Sequence, residues 1–498
     1  MDYKIKKVPK INSPIYSGLP LINADSTASG RPLDKIEKFI QNKLNPYYSN
    51  THSNAYSGRL MANWVKQSKK IICNSLNCNE DDKIIFTGSG CTAAIKHFMH
   101  LVDINNKNNK PFIINSKLEH LSNYLPWKHC ELNRFSLDIN PDGMVKLNQL
   151  EKELKKAKKN KHNPIIVSVS ACSNVIGVKQ PLDEISKITH KYGGIFAVDY
   201  ACSAPYVKIN MHKDDKLKNY YDAVFISPHK FLGGTCTPGL LVINKNIIKN
   251  TEPFYPGGGT VRFVCSKFQK YSDDIEKRET GGTPNIVGSI KTGLVFQAKE
   301  LLMDTIHERE EEIKEMVDKE IKTIPNITIL NPVNNPRRIP IYAIIVDKLH
   351  YNLVVALLSD LFGIQVRGGV SCANILAQTM LNITNKEQKK IYEQIVSGNG
   401  VPSNYGWVRI SFNYQMSDKI VWYILNALRI VCENNDKIIK SKKYKYNPEK
   451  NHWNYKNKEP AFPELNIMNE CNECDFLTLS EQLLDGHFEK VRKWFSKL

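Results

Sequence analysis

Ser227-Pro-His-Lys-Phe-Leu-Gly-Gly234 is the stretch of this sequence that says most about its fold. It follows the apolar run Ala223-Val-Phe-Ile226, which has the length and composition of a strand buried on both faces of a parallel sheet. In sheets of that kind, ligands bind beyond the carboxyl ends of the strands. Most lysines lie on the surface, but Lys230 is placed where a ligand-binding lysine is expected.

Four more apolar runs precede this one and alternate with stretches of helical periodicity. They are Ile84-Ile-Phe86, Pro111-Phe-Ile-Ile-Asn115, Pro164-Ile-Ile-Val-Ser-Val-Ser170 and Gly194-Ile-Phe-Ala-Val-Asp199. This pattern predicts an α/β fold built on a mostly parallel sheet. The polar residues that follow the runs should meet at one edge of the sheet, because parallel strands end on the same side. These residues are Ser89–Thr92, Glu119–His120, Ser173–Asn174, Asp199 and His229–Lys230.

The chemistry of these segments favours pyridoxal phosphate as a ligand. A lysine that forms a Schiff base has to be partly desolvated, with cationic neighbours, so that its amine is neutral. Asp199 at a strand end can keep a pyridine nitrogen protonated, which makes the ring an electron sink. Thr87-Gly-Ser-Gly-Cys-Thr92 is a glycine-rich turn at a helix start, whose N–H groups suit a phosphate. Ser227 and His229 can add hydrogen bonds to the same phosphate.

The glycine turn also supports a second interpretation. Gly88, Gly90 and Ala93 match the dinucleotide-binding pattern G-x-G-x-x-A. A nicotinamide-binding domain would leave Lys230 and Asp199 without a role, whereas the Schiff-base interpretation uses both.

Composition and charge argue against several other classes of protein. The 498 residues carry 69 Lys and Arg against 50 Asp and Glu, a formal charge of +19, with much of the excess in Lys/Asn-rich connectors such as 152–161 and 437–458. Because no nucleic-acid-binding signature accompanies this charge, we interpret it as a solvated surface and do not expect nucleic acid as a partner. The sequence has neither an apolar leader nor a run long enough to span a bilayer, so no membrane association and a cytoplasmic location are expected.

Cysteine spacing predicts neither a disulfide framework nor a metal centre. The twelve cysteines are scattered, which is typical of a reducing compartment. Cys471 and Cys474 form a Cys-x-x-Cys motif, but there is no second pair at zinc spacing, and we expect no metal site there.

Four segments are expected along the chain. An amino-terminal arm covers residues 1–21, a large ligand-binding domain covers 22–298, and a smaller α/β domain covers 299–434, entered through a long charged helix from about Leu294 to Thr323. Residues 435–498 are expected to form a Lys/Asn-rich linker and an amphipathic helix that docks on the protein's own body. The apolar face of that helix comprises Leu484, Phe488, Val491, Phe495 and Leu498.

Six segments recur in an order and spacing typical of one enzyme family. They are Glu119-His-Leu-Ser-Asn-Tyr-Leu-Pro-Trp127, Ser173-Asn-Val-Ile-Gly177, Val198-Asp-Tyr-Ala-Cys-Ser-Ala-Pro205, Ser227-Pro-His-Lys230, Gly281-Gly-Thr-Pro-Asn285 and Arg367-Gly-Gly-Val-Ser-Cys-Ala373. In these segments the chain resembles the class V aminotransferase superfamily of pyridoxal-phosphate enzymes. It is most similar to the group II cysteine desulfurases and selenocysteine lyases, whose relatives also share segments like Ala28-Ser-Gly-Arg31 and Asn50-Thr-His-Ser53.

The resemblance covers about Ile22 to Asn434 and implies a fold type I enzyme. Such an enzyme has a large domain with a mostly parallel, seven-stranded type of sheet and a smaller carboxyl-terminal α/β domain. The family relationship also implies a homodimer with shared active sites, in which Thr283 reaches the phosphate bound by the neighbouring subunit.

The resemblance further implies a role for each matched residue. Lys230 would bind the cofactor as a Schiff base and move protons, Asp199 would pair with the pyridine nitrogen, and His120 would stack on the ring and assist proton transfer. Arg367 would bind the substrate carboxylate, and Cys372 would be the nucleophile that receives sulfur as a persulfide. The remaining cofactor contacts would come from Asn174 at the ring hydroxyl and, at the phosphate, from the Cys91 backbone, Thr92, Ser227 and His229.

Two positions depart from the desulfurase pattern. Cys202 stands three residues after the aspartate, where desulfurases usually have a glutamine that contacts the ring oxygen, and Gly-Val-Ser precedes Cys372 in place of the histidines often found there. The expected reaction is C–S or C–Se cleavage of a free amino acid, with a sulfur-acceptor protein as a partner. Two alternatives are a class V transamination or epimerisation, with Cys372 as a bystander, and a non-catalytic scaffold with a basic RNA- or protein-binding tail. An intact Lys230 and Asp199 argue against the scaffold.

Overall fold

The chain folds into two compact units. The computed structural model describes residues 7–106, 110–130, 132–456, 476–478 and 481–498. The large unit comprises Thr27–Ser173 and Val178–His307. The small unit comprises Met1–Ser26, Asn174–Gly177 and Glu308–Leu498.

A seven-stranded sheet forms the centre of the large unit. Its strands are β1 (Asp82–Thr87), β2 (Phe112–Ser116), β3 (Asn133–Leu137), β4 (Ile165–Ser170), β5 (Ile195–Asp199), β6 (Ala223–Ile226) and β7 (Gly239–Asn244). They lie in the order β1-β7-β6-β5-β4-β2-β3, and β7 alone runs antiparallel to its neighbours. The expectation of an α/β fold with a mostly parallel sheet is therefore confirmed.

The burial of each strand explains whether it can be recognised in the sequence. Every residue of β2, β4 and β6 is buried, as two-sided coverage by helices requires. The edge strand β3 is half exposed, so its sequence carries no continuous apolar run.

Helices and short ribbons complete the large unit. The helices are Asp34–Phe39, Tyr56–Leu76, Gly90–Leu101, Leu125–His129, Leu147–Lys159, Leu182–Lys191, Ile275–Arg278 and the first part of Ile286–Ile321. The single turns are Ile40–Leu44, Asn45–Tyr47, Leu121–Asn123, Pro228–Lys230 and Lys245–Ile247. Two ribbons pair His212–Asp214 with Asn219–Tyr220 and Val261–Val264 with Gln269–Tyr271.

The helix Gly90–Leu101 is held on the sheet by its apolar side. Ala94, Ile95 and Phe98 are fully buried, and the Phe98 ring meets the Phe225 ring edge-on at 5.4 Å between centroids. Truncating a fully buried phenylalanine typically costs about 3–5 kcal/mol. This packing fixes the start of the helix at Gly90, next to the end of β1.

The small unit is built on a four-stranded antiparallel sheet. Its strands are β8 (Ile327–Ile329), β9 (Ile341–Val346), β10 (Arg367–Gly369) and β11 (Trp407–Ser411), in the order β8-β9-β11-β10. A parallel pair joins Ile22–Asn23 to Ile364–Gln365. The helices are the last part of Ile286–Ile321, Tyr351–Phe362, Asn374–Met380, Asn385–Val396, Asp418–Glu433, Asn435–Ser441 and Glu481–Ser496.

The long charged helix begins at Ile286, earlier than the Leu294 expected from the sequence. The Asn285 side chain accepts a hydrogen bond from the Gly288 N–H at 2.8 Å, in the manner of a helix cap. Gly288 interrupts the helical pattern in the sequence and hides this first turn.

The carboxyl-terminal region has more regular structure than its composition indicates. A hairpin of Tyr444–Asn447 and His452–Tyr455 replaces part of the expected linker. Its aromatic residues recur at every second position, which is strand periodicity concealed among lysines and asparagines. In the final helix, Leu484, Phe488, Val491 and Phe495 are buried in the core of the small unit, so the helix docks on its own body as expected.

The amino-terminal strand Lys7–Ile11 pairs with both Leu19–Pro20 and Phe476–Thr478. No helix in the described part of the chain is long and apolar enough to cross a membrane.

Candidate functional site

Lys230 ends a short helical turn that is held by an earlier segment of the large unit. The Gly30 N–H donates to the His229 carbonyl at 2.9 Å, and the Gly233 N–H donates to the Arg31 carbonyl at 2.7 Å. A Cβ atom on Gly30 would lie 2.0 Å from the Phe231 carbonyl oxygen, so only glycine fits there. The Ala28–Arg31 segment therefore runs along the lysine turn and fixes its backbone on both sides of Lys230.

The glycine turn after β1 meets the same lysine turn. Gly90 has φ +55°, and a Cβ on it would lie 2.7 Å from Ser227 Oγ and 3.1 Å from His229 Cε1. The Cys91 N–H donates to Ser227 Oγ at 2.9 Å, and Ser227 Oγ donates to Cys91 Sγ at 3.2 Å. The structure thus brings Cys91, Ser227 and His229 together, with the Cys91 N–H bonded to Ser227.

His229 is electrically neutral in this cluster. Burial, followed by the charge of Lys230, lowers its pKa to about 4. A neutral imidazole offers one donor and one acceptor nitrogen. His229 can therefore donate a hydrogen bond to an anion without adding a full charge.

Asp199 is a buried carboxylate at the end of β5. It is 3% exposed, and the Ala201 N–H donates to its Oδ1 at 2.8 Å. Burial raises its pKa, while the Ala201 N–H, the charge of Lys230 and the Cys91 thiol oppose that rise. A buried carboxylate of this kind is suited to a cationic ring nitrogen, since such a partner replaces the lost hydration.

His120 follows β2 and caps the turn Leu121–Asn123. Its Nδ1 accepts a hydrogen bond from the Ser122 N–H at 3.1 Å. The neutral ring therefore carries its proton on Nε2. The Ser122 hydroxyl in turn lies 2.6 Å from Thr92 Oγ1, which links the His120 turn to the first turn of the helix after the glycine turn.

Thr283 lies on an exposed part of the large unit. Its Oγ1 accepts a hydrogen bond from Asn50 Nδ2 at 2.9 Å. This bond joins the Gly281–Asn285 motif to the Asn50–Ser53 motif, two segments that the sequence comparison had singled out separately.

Three of the sequence-predicted site residues, Asn174, Arg367 and Cys372, belong to the small unit. Arg367 begins β10 and is 44% exposed, and its Nε lies 3.2 Å from Asp25 Oδ2. The other oxygen of Asp25 lies 2.5 Å from Nη2 of the buried Arg409. Asp25 thus holds two arginines that face each other across the β10–β11 pair.

Sequence reasoning missed Asp25 and Arg409. The signal that reveals Arg409 is a charge in the middle of the apolar run Trp407-Val-Arg-Ile-Ser411, since a charged side chain in a fully buried strand requires a partner. Arg409 also donates to the Asn174 carbonyl at 3.1 Å.

Cys372 is exposed on a strained loop. Ser371 and Cys372 have φ values of +52° and +54°, in the left-handed region that costs a non-glycine residue on the order of 1–3 kcal/mol. The loop is pinned by Asn174 Nδ2, which donates to the Ser371 carbonyl at 2.9 Å, and by Trp407 Nε1, which donates to Ser371 Oγ at 3.2 Å. Strain that is held in this way is frequent at functional sites.

Cys202, the departure from the desulfurase pattern, is buried. Its Sγ lies 3.8 Å from the Ser173 carbonyl oxygen, and Cys172 Sγ lies 3.7 Å from the same oxygen. In the residues that the structure describes, no cluster of three His, Cys, Asp or Glu side chains is arranged to hold a metal ion. Cys471 and Cys474 lie outside the described residues.

Comparison with known proteins places these features in a family. A model described as Aminotransferase class-V matches residues 22–421. Proteins named probable cysteine desulfurase from Halalkalibacterium halodurans and Staphylococcus aureus are 28% and 26% identical to this chain. Both alignments cover 78% of this chain, and they cover 93% and 91% of the two relatives.

Solved structures share the fold. The apo structure of a cysteine desulfurase from Thermococcus onnurineus NA1 matches with a TM-score of 0.70 and 23% identity, over 83% of this chain and 95% of the other. A NifS-like protein from Rickettsia africae matches with a TM-score of 0.65 and 22% identity, over 83% of this chain and 99% of the other. Since the family model spans most of the chain and the fold agrees, this protein belongs to the class V aminotransferase family of pyridoxal-phosphate enzymes.

Proposed function

We propose that this protein is a cysteine desulfurase or selenocysteine lyase that removes sulfur or selenium from a free amino acid. The observation that carries the proposal is the exposed Cys372 on a strained loop pinned by Asn174 and Trp407. Relatives named probable cysteine desulfurase, which align over 78% of the chain, support it.

The residues of the large unit fit pyridoxal phosphate. The space beside Gly90 that a Cβ would fill is bordered by a hydroxyl and a neutral imidazole, which suits a phosphate oxygen. The buried Asp199 suits a protonated pyridine nitrogen. When bound, the cofactor supplies an electron sink that stabilises negative charge on the substrate α-carbon.

Each residue then has a role in holding that group. Lys230 would bind the cofactor covalently, Asp199 would pair with its ring nitrogen, and His120 would stack on the ring and assist proton transfer. Asn174 would contact the ring hydroxyl. The Cys91 backbone, Thr92, Ser227 and His229 would bind the phosphate, and Thr283 would reach the phosphate bound by the neighbouring subunit of a homodimer.

The substrate is bound and cleaved by three side chains. Arg367 binds the carboxylate through the guanidinium edge that does not face Asp25, a bidentate geometry that lysine cannot provide. Lys230 Nζ takes the α-proton. The Cys372 thiolate attacks the substrate sulfur, so that the Sγ–S bond forms and the C–S bond breaks. The electron pair of the broken bond passes to the β-carbon, which takes up a proton, and Lys230 returns a proton to the α-carbon. The products are alanine and a persulfide on Cys372, and a sulfur-acceptor protein then removes the outer sulfur of that persulfide.

The proposal is tested on purified protein supplied with pyridoxal phosphate and L-cysteine. We expect visible absorbance from the lysine-bound cofactor, equal amounts of alanine and released sulfur in the presence of a reductant, and loss of the product in Cys372→Ala. Absorbance without sulfur release, together with an unimpaired Cys372→Ala, would exclude sulfur chemistry.

A second candidate is an amino-acid aminotransferase or epimerase of the same family. Cys202 favours it, since a short buried thiol directed at the Ser173 carbonyl stands where desulfurases usually have a glutamine. In that case an amino acid other than cysteine would yield a keto acid or its mirror-image isomer, and Cys372→Ala would react at the wild-type rate.

A further inference from the structure

The residue before His120 is a buried carboxylate that the proposed mechanism does not use. Glu119 is 1% exposed, and four donors surround it. Its Oε1 accepts from Ser116 Oγ at 2.5 Å and from the Ser170 N–H at 3.2 Å. Its Oε2 accepts from Asn123 Nδ2 at 2.7 Å and from Ser170 Oγ at 2.7 Å.

These contacts tie three segments together. Ser116 is the last residue of β2, Ser170 is the last residue of β4, and Asn123 closes the turn that His120 begins. Ser170 also pairs in register with Asp199 of β5. Glu119 therefore joins the carboxyl ends of two strands to the His120 turn, at the edge of the sheet where Asp199 lies.

A second layer of hydrogen bonds fixes Asn123. Its Oδ1 accepts from Trp127 Nε1 at 3.1 Å and from Ser168 Oγ at 2.7 Å. Trp127 and Ser168 are fully buried. Because its Oδ1 accepts these two hydrogen bonds, Asn123 presents its Nδ2 to Glu119.

We propose that Glu119 is a positioning residue that holds the His120 ring in the orientation its chemistry requires. His120 is fixed locally by the Ser122 N–H on Nδ1, a contact within the turn. Glu119 joins this turn to the ends of β2 and β4, and it acts together with the bonds from Ser122 to Thr92 and from Ser168 to Asn123. The inference rests on the proposed function only for the catalytic role of His120; its placement is a property of the folded chain.

The two carboxyl oxygens of Glu119 accept from four donors at this site. An ionised carboxyl only accepts hydrogen bonds, whereas a glutamine presents two N–H groups. In Glu119→Gln, one of those N–H groups faces the Asn123 amide, and two donors in contact leave both unsatisfied. Exchanging the pair, as Glu119→Gln with Asn123→Asp, restores one donor opposite one acceptor.

The experiment measures His120 directly in cofactor-free protein. Nitrogen-15 NMR of histidine-labelled protein reports which ring nitrogen carries the proton, and His120→Gln identifies the signal. Wild type should show the Nε2–H form, because the Ser122 N–H occupies Nδ1. In Glu119→Gln the nitrogen shifts of the His120 ring should move as the turn leaves its place on the sheet, and the exchanged pair should return them towards the wild-type values. Glu279→Gln is the matched control, because Glu279 is also buried in the large unit but bonds to His97 and Arg278.

Activity provides the second readout. We expect kcat to fall about 10- to 100-fold in Glu119→Gln with little change in KM, the scale on which misplacement of a catalytic group acts. If Glu119→Gln does not fold, Ser170→Ala provides a second test, because it removes only one of the four donors. It should move the His120 signals in the same direction by a smaller amount.

A folded Glu119→Gln with an unchanged His120 signal and unchanged kcat would overturn the inference. So would an equal effect from Glu279→Gln. If instead the NMR pattern holds while L-cysteine yields no sulfide in wild type, the inference about Glu119 stands and the proposed function fails.

Discussion

The turn that carries Lys230 and the loop that carries Cys372 hold their reactive groups in opposite ways. Lys230 is half buried, and the backbone on both sides of it is bonded to the Ala28–Arg31 segment. Cys372 is exposed, has a strained backbone, and is held through side-chain bonds from Asn174 and Trp407 to the residue before it. A Schiff-base lysine needs desolvation, which a buried strand end provides. The proposed role of Cys372, to receive sulfur and pass it on, needs access, which a loop at the surface provides, and side-chain contacts offset the strain of that loop.

The largest effect should come from Lys230→Ala. We expect loss of the visible absorbance and a fall in turnover of at least about 10²–10⁴-fold, since in the proposed mechanism Lys230 both binds the cofactor and moves the proton. Absorption spectra measure the bound cofactor, and sulfide release from L-cysteine measures turnover.

Lys299→Met is the matched control for that variant. Lys299 is a buried lysine of the large unit, and burial lowers its pKa to about 8, a property that suits a Schiff-base lysine. Visible absorbance that survives Lys230→Ala but disappears in Lys299→Met would assign the Schiff base to Lys299.

The next largest effect should come from Cys372→Ala. Sulfur release should fall by at least about 100-fold, the scale typical for loss of one catalytic group. The visible absorbance should stay intact, because Cys372 has no part in holding the cofactor. Cys265→Ala, which removes another exposed cysteine, should behave as wild type; equal losses from both variants would point to a general effect of removing surface thiols.

Arg367→Lys should have a smaller effect that is confined to substrate binding. Loss of a bidentate charge-assisted contact typically costs about 1.5–3 kcal/mol, so KM for L-cysteine should rise roughly tenfold or more. Thermal stability should hardly change because the side chain is 44% exposed. Arg409→Lys should instead lower the melting temperature, since Arg409 is buried against Asp25. An unchanged KM in Arg367→Lys would remove Arg367 from the substrate site.

The last prediction concerns the buried carboxyl of Glu119 in the large unit and the pH dependence of stability. Burial raises the pKa of Glu119 from 4.5 to about 7 in the folded protein. Because the folded value lies above the unfolded one, the stability this group contributes is full below about pH 4.5 and is lost as pH rises to 7. The free energy of unfolding of wild type relative to Glu119→Gln should therefore fall by about 1 kcal/mol per pH unit in that window. Urea unfolding of both proteins at several pH values measures this difference in the free energy of unfolding. A difference that does not change with pH would contradict the prediction.

Much of the large unit could be predicted from the sequence because its strands are buried on both faces. Continuous apolar runs therefore mark β4, β5 and β6, and the polar residues behind them include Asp199 and Lys230. Less of the small unit could be predicted in this way. The Asp25–Arg409 ion pair joins residues 384 positions apart, and only tertiary structure brings them together.

The hairpin near the carboxyl end shows a different limit. Tyr444 is buried at 7% exposure, yet lysines surround it in the sequence. Composition averaged over this stretch predicts a linker, whereas the alternation of aromatic residues decides the structure.

The pairing of Lys7–Ile11 with Phe476–Thr478 has a consequence for biosynthesis. At about 5–20 residues per second, the first of these strands leaves the ribosome on the order of a minute before the second. Throughout that interval one edge of the early strand lacks its final neighbour, and an open strand edge is a site for aggregation. The large unit is complete once His307 has been made, but the small unit can close only after Phe476–Thr478 and the helix Glu481–Ser496 have been made. Chaperone dependence should accordingly be greatest for the strand Lys7–Ile11 and its late partner.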